Sequence, residues 1–285
     1  MPGYHLPFFG AMANGLFAEY DLAVEILDPP AGGGAANTLR VAAGGADFCL
    51  TGVTYYLFAR REAGSGLAAR FVAVVHQRSP LAAIVAAGSD IAQPENLAGR
   101  RLARSKATGW LPDELVATLA ERGIASPEIV PVPYGGPPHA LASGTVDIMA
   151  TFLDTTSQQQ PTSGISTRAI HLGREIYASG LVAGDRVPDD VVDRMVRAVR
   201  AAFEMQQRQP EGGVEQFCLR FPETAPERAR ETWDLLSPFV FAGPPVGSME
   251  EDRWAETIGW LADVHSLSVP GGAVYRASPA LEPAM

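Results

Sequence analysis

The chain has 285 residues, of which 47% are hydrophobic and 19% charged, the composition of a globular protein with one large or two modest domains. Its net charge of −10 argues against nucleic acid as a partner, because contacts with phosphates need basic surfaces. It has no run of about 18 apolar residues to span a membrane, and its two cysteines are too few for a metal cluster.

The first predicted elements lie before residue 30. Residues 8–20 predict a short helix that ends at Asn14-Gly15, because Gly is a common residue just past a helix end. Residues 22–27 predict a strand, since apolar side chains alternate there with small or polar ones. Only residues 3–6 precede the first helix, although a doubly wound α/β lobe normally opens with a full central strand. We therefore expect a clipped first strand.

Strands and helices alternate through the next part of the chain. The predicted strands are 48–52, 71–75, 81–87, 101–104, 129–132 and 147–152, and helices are predicted at about 35–43, 53–58, 110–122 and 138–143. The continuous apolar run 71–75 is typical of a parallel strand covered on both faces. Residues 188–260 have a helical pattern with one apolar stripe, formed by Val191, Val192, Met195, Val196, Val199 and Phe203. This order predicts an α/β fold with mostly parallel sheets flanked by helices.

One short phrase occurs twice in the first 155 residues. Residues 39–49 are echoed by residues 141–149, and the Gly144 and Asp147 of the second copy stand 100 positions after Gly44 and Asp47. Each copy predicts a helix, a glycine turn with positive φ and a buried strand. Two copies indicate two lobes built alike with a cleft between them, which favours ligand capture.

Several phrases in a fixed order resemble one known family. They lie at residues 15–26, 32–34, 44–48, 77–80, 94–102 and 180–183. Together they resemble the solute-binding proteins of ABC importers for nitrate, sulfonates, taurine and thiamine-pyrimidine precursors. The resemblance covers nearly the whole chain.

The resemblance implies a two-lobed periplasmic-binding-protein type II fold with a two-strand hinge. Lobe 1 would comprise residues 1–82 and 182–285, with the C-terminal helices, and lobe 2 residues 83–181. The crossover strands would fall near 81–86 and 177–183.

The resemblance also implies a small-molecule ligand and an ABC permease as partners, with a monomeric chain. No cofactor and no metal are expected, and the histidines at 5, 76, 139, 171 and 265 have no metal-binding spacing. Residues 1–5 lack the pattern of a signal peptide. The chain would therefore be periplasmic or extracellular if a signal has been removed, and otherwise cytoplasmic.

In this fold, ligand contacts gather at the carboxyl ends of the strands, where helices begin. In lobe 1, Tyr4 and His5 could hydrogen-bond a ligand and Phe8 could stack on it, or all three could simply cover the end of the sheet. Thr51, Gly52 and Thr54 could hold an anionic or carbonyl oxygen. The alternative for Thr54 is a plain helix cap.

Candidate contacts in lobe 2 follow its strands in the same way. The candidates are Lys106, Thr108, Gly109, Trp110, Tyr134, Phe152 and Asp154. Lys106 could add charge or be a solvated loop residue, and Asp154 could accept a ligand N–H or belong to an ordinary turn. Beside the first crossover, Arg78 could pair with an acidic ligand or brace the hinge.

The predicted function is capture of a small organic ligand by hinge closure, as the substrate-binding component of an ABC importer. The aromatic lining with few fixed charges favours a sulfonate-like, aromatic or heterocyclic ligand. The alternative is a cytoplasmic enzyme on the same fold that acts on a small aromatic or pyrimidine-like metabolite. A ligand sensor is a weaker third possibility. No catalytic constellation is predicted, so an enzyme is the less favoured reading.

Overall fold

The computed structural model describes residues 3–30, 33–105, 109–133, 135–153, 164–268, 275 and 276. The described residues form eight strands, which lie in two sheets flanked by helices. The strands are β1 (Phe48–Gly52), β2 (Ala69–His76), β3 (Leu81–Ala86), β4 (Arg101–Arg104), β5 (Glu128–Pro131), β6 (Ile148–Phe152), β7 (Thr167–His171) and β8 (Ser179–Gly184). The predicted strands from residue 48 onward are confirmed to within two residues at each end.

Helices connect these strands and form most of the C-terminal region. They are α1 (Leu6–Ala13), α2 (Gly33–Ala42), α3 (Val53–Ala63), α4 (Trp110–Glu121), α5 (Pro137–Ala142), α6 (Asp189–Arg208), α7 (Pro210–Arg220), α8 (Pro226–Val240) and α9 (Glu251–His265). The predicted apolar stripe of α6 is confirmed, because Val192, Val196 and Phe203 are buried in the core beside the first sheet.

The first sheet has the order β1-β8-β2 and the second the order β5-β4-β6-β3-β7. Strands β3 and β8 run antiparallel to their neighbours, and the other described strands of each sheet run in one common direction. Each sheet is covered on both faces. Val72 and Val75 of β2 pack into one apolar cluster, whereas Phe71 and Val74 pack into another.

The prediction of a parallel strand at 71–75 is correct about burial but wrong about its partner. Strand β2 pairs with β8 in antiparallel register. The physical reason is connectivity: β8 returns from the second sheet and enters the first between β1 and β2. The passages between the two sheets are residues 77–80 and 172–178, just outside β3 and β8.

The predicted strand at residues 22–27 is wrong. The segment belongs to no described sheet, although Leu22 and Val24 pack against the core as the alternation requires. A strand needs a hydrogen-bonded neighbour, and Gly3–His5, the segment in the position of an opening strand, is a 3-10 turn. The alternation at residues 22–27 therefore predicts the burial of alternate side chains correctly. None of the described strands pairs with the segment by backbone hydrogen bonds.

The doubled phrase has the predicted form in both copies. Helix α2 is followed by Gly44 at φ +87° and then β1, and helix α5 is followed by Gly144 at φ +70° and then β6. These two positions need glycine because a side chain is strained at positive φ. The two aspartates differ, since Asp147 binds Arg101 through three hydrogen bonds whereas Asp47 meets Arg186 near the surface.

Candidate functional site

The carboxyl ends of strands from both sheets meet around the first passage. In the first sheet, Ser179 at the start of β8 lies opposite both Gly52 and His76, the last residues of β1 and β2. In the second sheet, Leu81 at the start of β3 lies opposite Phe152 at the end of β6. Because only residues 77–80 separate β2 from β3, these strand ends are neighbours.

Helix α3 begins directly after β1 at this edge. Gly52 is its extended N-cap residue, and the Val53 N–H donates to the carbonyl of Ala178 at 2.9 Å. The following N–H groups of the first turn have no acceptor within the helix, which makes this end suited to a ligand oxygen. The Thr51 hydroxyl is already used, since it donates to the Gly34 carbonyl at 3.1 Å.

The predicted contact Thr54 takes part in a buried polar bridge between helices. Its hydroxyl donates to Oε1 of Glu114 in α4 at 2.8 Å, and Nε2 of His265, at the end of α9, lies 3.1 Å from the same oxygen. Thr54 and Glu114 are 5% and 2% exposed, so this bridge is shielded from solvent. The hydroxyl of Thr54 therefore ties α3 to α4.

Three aromatic rings join the two sides of the site. Trp110, the first residue of α4, packs edge-on against Tyr55 of α3 at 5.2 Å between ring centroids and against Phe152 at 5.5 Å. The indole Nε1 of Trp110 is buried and has no hydrogen-bond partner among the described residues. It is a donor that a bound molecule could satisfy.

A buried Ser–His pair, which the sequence pattern does not single out, lies at the same edge. The Oγ of Ser179 is 2.6 Å from Nδ1 of His76, and Nε2 of His76 has no partner within the described ranges. Burial lowers the pKa of His76 to about 3, so its ring is neutral at physiological pH. The available signal was position alone, because His76 ends a continuous apolar strand.

The residues predicted before α1 divide between the site and the core. The ring of Tyr4 meets His76 nearly at a right angle, with 5.4 Å between centroids, and His5 packs against Tyr4. Phe8 instead packs edge-on against Phe203 beside the first apolar cluster. The structure therefore brings Tyr4 and His5 to the site and places Phe8 on the core side.

The other predicted contacts lie at the rim of the site or outside the described residues. Gly109 is the N-cap of α4 and approaches the Ser105 carbonyl closely, because a Cβ there would come within 3.1 Å of that oxygen. Arg78 forms an ion pair with Glu175, across the two passages between the sheets, and this geometry favours the hinge-bracing alternative. Lys106, Thr108, Tyr134 and Asp154 lie outside the described residues.

The described part of the chain offers little for other chemistry. It contains no group of three or more His, Cys, Asp or Glu residues placed to hold a metal ion. Desolvation raises the pKa of the Cys49 thiol to about 12, which makes it a poor nucleophile at neutral pH. None of the described helices combines the length and apolar character needed to traverse a bilayer.

Comparisons with known proteins agree on family and fold. The family model described as NMT1/THI5 like matches residues 3–212. The alkanesulfonate-binding protein SsuA from Xanthomonas axonopodis pv. citri, bound to MOPS, is 16% identical with a TM-score of 0.67, covering 94% of this chain and 92% of its own. The periplasmic aliphatic sulphonate binding protein SsuA from Escherichia coli is 16% identical with a TM-score of 0.71, at 92% and 83% coverage.

A third similar structure belongs to a protein with the generic periplasmic binding protein fold. A conserved Candida albicans gene product with the generic periplasmic binding protein fold is 12% identical with a TM-score of 0.63, covering 96% of this chain and 90% of its own. A comparison with curated proteins finds no match. These likenesses confirm the two-lobed periplasmic-binding-protein fold and the resemblance to solute-binding proteins.

Proposed function

Because this chain belongs to the NMT1/THI5 like family, we propose that it is the substrate-binding component of an ABC importer. Its ligand is a small organic molecule with an oxyanion, attached to an aromatic or heterocyclic body. The sulfonate-binding names of the two SsuA proteins support this class of ligand. In that role the chain works in the periplasm or outside the cell and docks on a permease.

The observation that carries the proposal is an aromatic cluster at the strand ends, beside which two buried ring nitrogens lack described partners. Nε1 of Trp110 and Nε2 of His76 are both buried without partners among the described residues, at the strand ends where the sheets meet. A buried polar atom without a partner destabilises a protein by about 1–3 kcal/mol. The Nε1 of Trp254 is buried in the same way within the core, so it is the position of these two nitrogens at the strand ends that points to a ligand acceptor. The rings of Tyr55, Trp110 and Phe152 would hold the apolar body of the ligand.

The donors of the site fit an oxyanion, and the Glu114 carboxyl beside the first turn of α3 is engaged by Thr54 and His265. The N-terminal turn of α3 presents N–H groups and the positive end of the helix dipole. His76 is neutral, and Arg78 is paired with Glu175. Neutral donors can bind a sulfonate or carboxylate without a full counter-charge, because the helix end and the N–H groups share its charge.

We propose that closure occurs between the two predicted lobes, with bounds adjusted so that each strand stays whole: lobe 1 includes β8 from Ser179, and lobe 2 includes β3 from Leu81. Contacts across this boundary include the Thr54–Glu114 hydrogen bond and the Tyr55–Trp110 ring contact, and α9 adds hydrogen bonds from His265 to Glu114 and from Trp260 to Glu121. An open form would break the contacts from α3 to α4 while the passages at 77–80 and 172–178 bend. Ligand binding would then favour the closed form.

The test is a binding screen on the full chain after unfolding and refolding to remove any ligand carried through purification. The probes are MOPS, naphthalene-2-sulfonate, benzoate and a pyrimidine, each titrated by calorimetry and by thermal unfolding. A ligand at 100 times its Kd should stabilise the fold by about 2.7 kcal/mol. Closure should also reduce the radius of gyration measured by X-ray scattering. If no probe binds at millimolar concentration, the proposed ligand class is wrong.

A further inference from the structure

His76 occupies a buried position with one ring nitrogen engaged and the other open. It ends β2, is 2% exposed, and its Nδ1 lies 2.6 Å from the Ser179 hydroxyl. Its Nε2 has no hydrogen-bond partner in the part of the chain that the structure describes. Nε2 is therefore shielded from bulk water and has no hydrogen-bond partner among the described residues.

Counting hydrogen bonds identifies the tautomer. If Nδ1 carried the proton and donated to Ser179, the serine hydrogen and the Nε2 lone pair would both lack partners. If the serine hydroxyl donates to Nδ1, only the Nε2 proton lacks one. The second arrangement leaves fewer unsatisfied groups, so Nε2 carries the proton and is a hydrogen-bond donor.

The neighbours of His76 place this donor among candidate ligand contacts. Ser179 lies opposite both His76 and Gly52, the N-cap of α3. On the other side, the Tyr4 ring stands at 87° to the imidazole. His76 is thus located between the N-terminal turn of α3 and the residues that precede α1.

We propose that the Nε2–H of His76 is a specificity-determining donor to an oxygen of the bound ligand, and that Ser179 positions it by fixing the tautomer. The inference rests on the proposed function and adds the residue that selects an oxygen acceptor. A ligand group that presents only N–H donors at this point would be rejected, because it would leave two donors facing each other.

Neutrality of the ring makes the donor independent of pH over the working range. Burial holds the pKa of His76 near 3, and the ring would become a cation only in strong acid. The recognition is therefore of hydrogen-bonding pattern rather than of charge. Sulfonate, carboxylate and carbonyl oxygens share that pattern.

The test compares three variants with the wild-type chain, using MOPS and naphthalene-2-sulfonate as probes. His76→Leu removes the donor, His76→Gln keeps an N–H at a similar reach, and Ser179→Ala frees the tautomer. We expect His76→Leu to weaken binding about 10- to 100-fold, the value of one hydrogen bond to a charged oxygen. The affinity of His76→Gln should be closer to that of the wild-type chain. The affinity of Ser179→Ala should lie between those of His76→Gln and His76→Leu.

Two further measurements separate a ligand contact from a structural role. The melting temperatures of ligand-free His76→Leu and Ser179→Ala should fall by similar amounts, because both variants lose the buried hydrogen bond between the Ser179 hydroxyl and Nδ1 of His76. A greater loss of affinity in His76→Leu then reports the Nε2–H donor. Nitrogen-15 NMR should show the Nε2–H tautomer, with a proton shift on addition of either probe.

The possible results separate this inference from the proposed function. If wild type binds a probe but His76→Leu binds it equally well, or if Nδ1 carries the proton, the His76 inference is overturned while the proposed function stands. If neither probe stabilises the wild-type chain nor shifts the His76 signals at millimolar concentration, both are overturned.

Discussion

Glu114 of α4 receives a 2.8 Å hydrogen bond from the hydroxyl of Thr54 in α3, across the boundary between the two sheets. His265 approaches the same carboxylate oxygen at 3.1 Å from the end of α9. Glu114 is 2% exposed, so its oxygens depend on these partners rather than on water. One carboxylate therefore links three helices that the sequence places far apart.

Replacement of Glu114 by Ala should lower the free energy of unfolding by about 2–4 kcal/mol, because it leaves Thr54 and His265 buried without their partner. The matched control is Glu121→Ala in the same helix. Glu121 bonds Trp260 and Arg174 near the surface, so its loss should cost about 1 kcal/mol or less. Urea unfolding of both variants measures the difference. Equal losses would mean that burial of the Thr54–Glu114 bridge has no energetic consequence.

The paired aspartates of the doubled phrase should differ in their effect on stability. Asp147→Asn removes the charge and one of the two oxygens that accept three hydrogen bonds from Arg101. Asp47→Asn removes the charge from a single contact with Arg186 at the surface. We expect the Asp147 variant to be the less stable of the two at pH 7, as measured by urea unfolding. Equal stabilities would show that the Arg101 contacts are screened as effectively as those of Asp47.

The contact between Arg101 and Asp147 predicts how the stability of the fold depends on pH. Hydrogen bonds from Arg101 lower the pKa of Asp147 below its ordinary value of 3.8. A carboxyl with a lowered folded pKa stabilises the fold above its unfolded pKa and loses that contribution as pH falls through the folded pKa. The gap between wild type and Asp147→Asn should therefore be full at neutral pH and close in acid below about pH 4. A gap that widened in acid would contradict the assignment.

The sequence predicts the strands of the second sheet better than it predicts the structure of residues 22–27. Strands β3 and β6 are continuous runs of apolar or small residues, so the local pattern is sufficient to predict them. Residues 22–27 show the limit of that reasoning. Their alternation reports that one side is buried, but a ladder also needs a partner, which depends on the fold around them.

At the site, too, local sequence patterns predict single residues but not the contacts between residues far apart in the chain. Thr54 and Trp110 were predicted because a strand or loop leads into a helix at each position, which is a local signal. Their partners were not, because Glu114 is 60 positions from Thr54 and Ser179 is 103 positions from His76. No pattern in one segment reports such pairs. The structure therefore gives Thr54 a hydrogen bond between helices and makes His76 a further candidate contact.

Arg78 offers a test of hinge bracing against ligand contact. It pairs with Glu175 across the two passages between the sheets, and its backbone N–H donates to the Phe239 carbonyl at 3.2 Å. We expect Arg78→Ala and Glu175→Ala to change the affinity for naphthalene-2-sulfonate alike and by less than about threefold, since an exposed ion pair contributes little. Calorimetry measures this. A much larger loss for Arg78→Ala alone would make it a ligand contact.

Trp110 allows the second unpartnered donor to be tested without removing its ring. Trp110→Phe keeps an aromatic side chain between Tyr55 and Phe152 but deletes the Nε1–H. The matched control is Trp254→Phe, because the Nε1 of Trp254 is also buried without a described partner but lies among Phe71, Tyr177 and Tyr275 in the core. The two substitutions are chemically identical and differ in location.

We expect Trp110→Phe to weaken binding of naphthalene-2-sulfonate about 10-fold, the contribution of one hydrogen bond to a charged acceptor. Trp254→Phe should leave the affinity unchanged. Combining Trp110→Phe with His76→Leu separates two cases. Independent contacts with different oxygens would give additive losses, whereas donors that share one oxygen would give losses that do not add. Equal affinities for wild type and Trp110→Phe would remove the indole N–H from the site and leave its ring as a packing surface only.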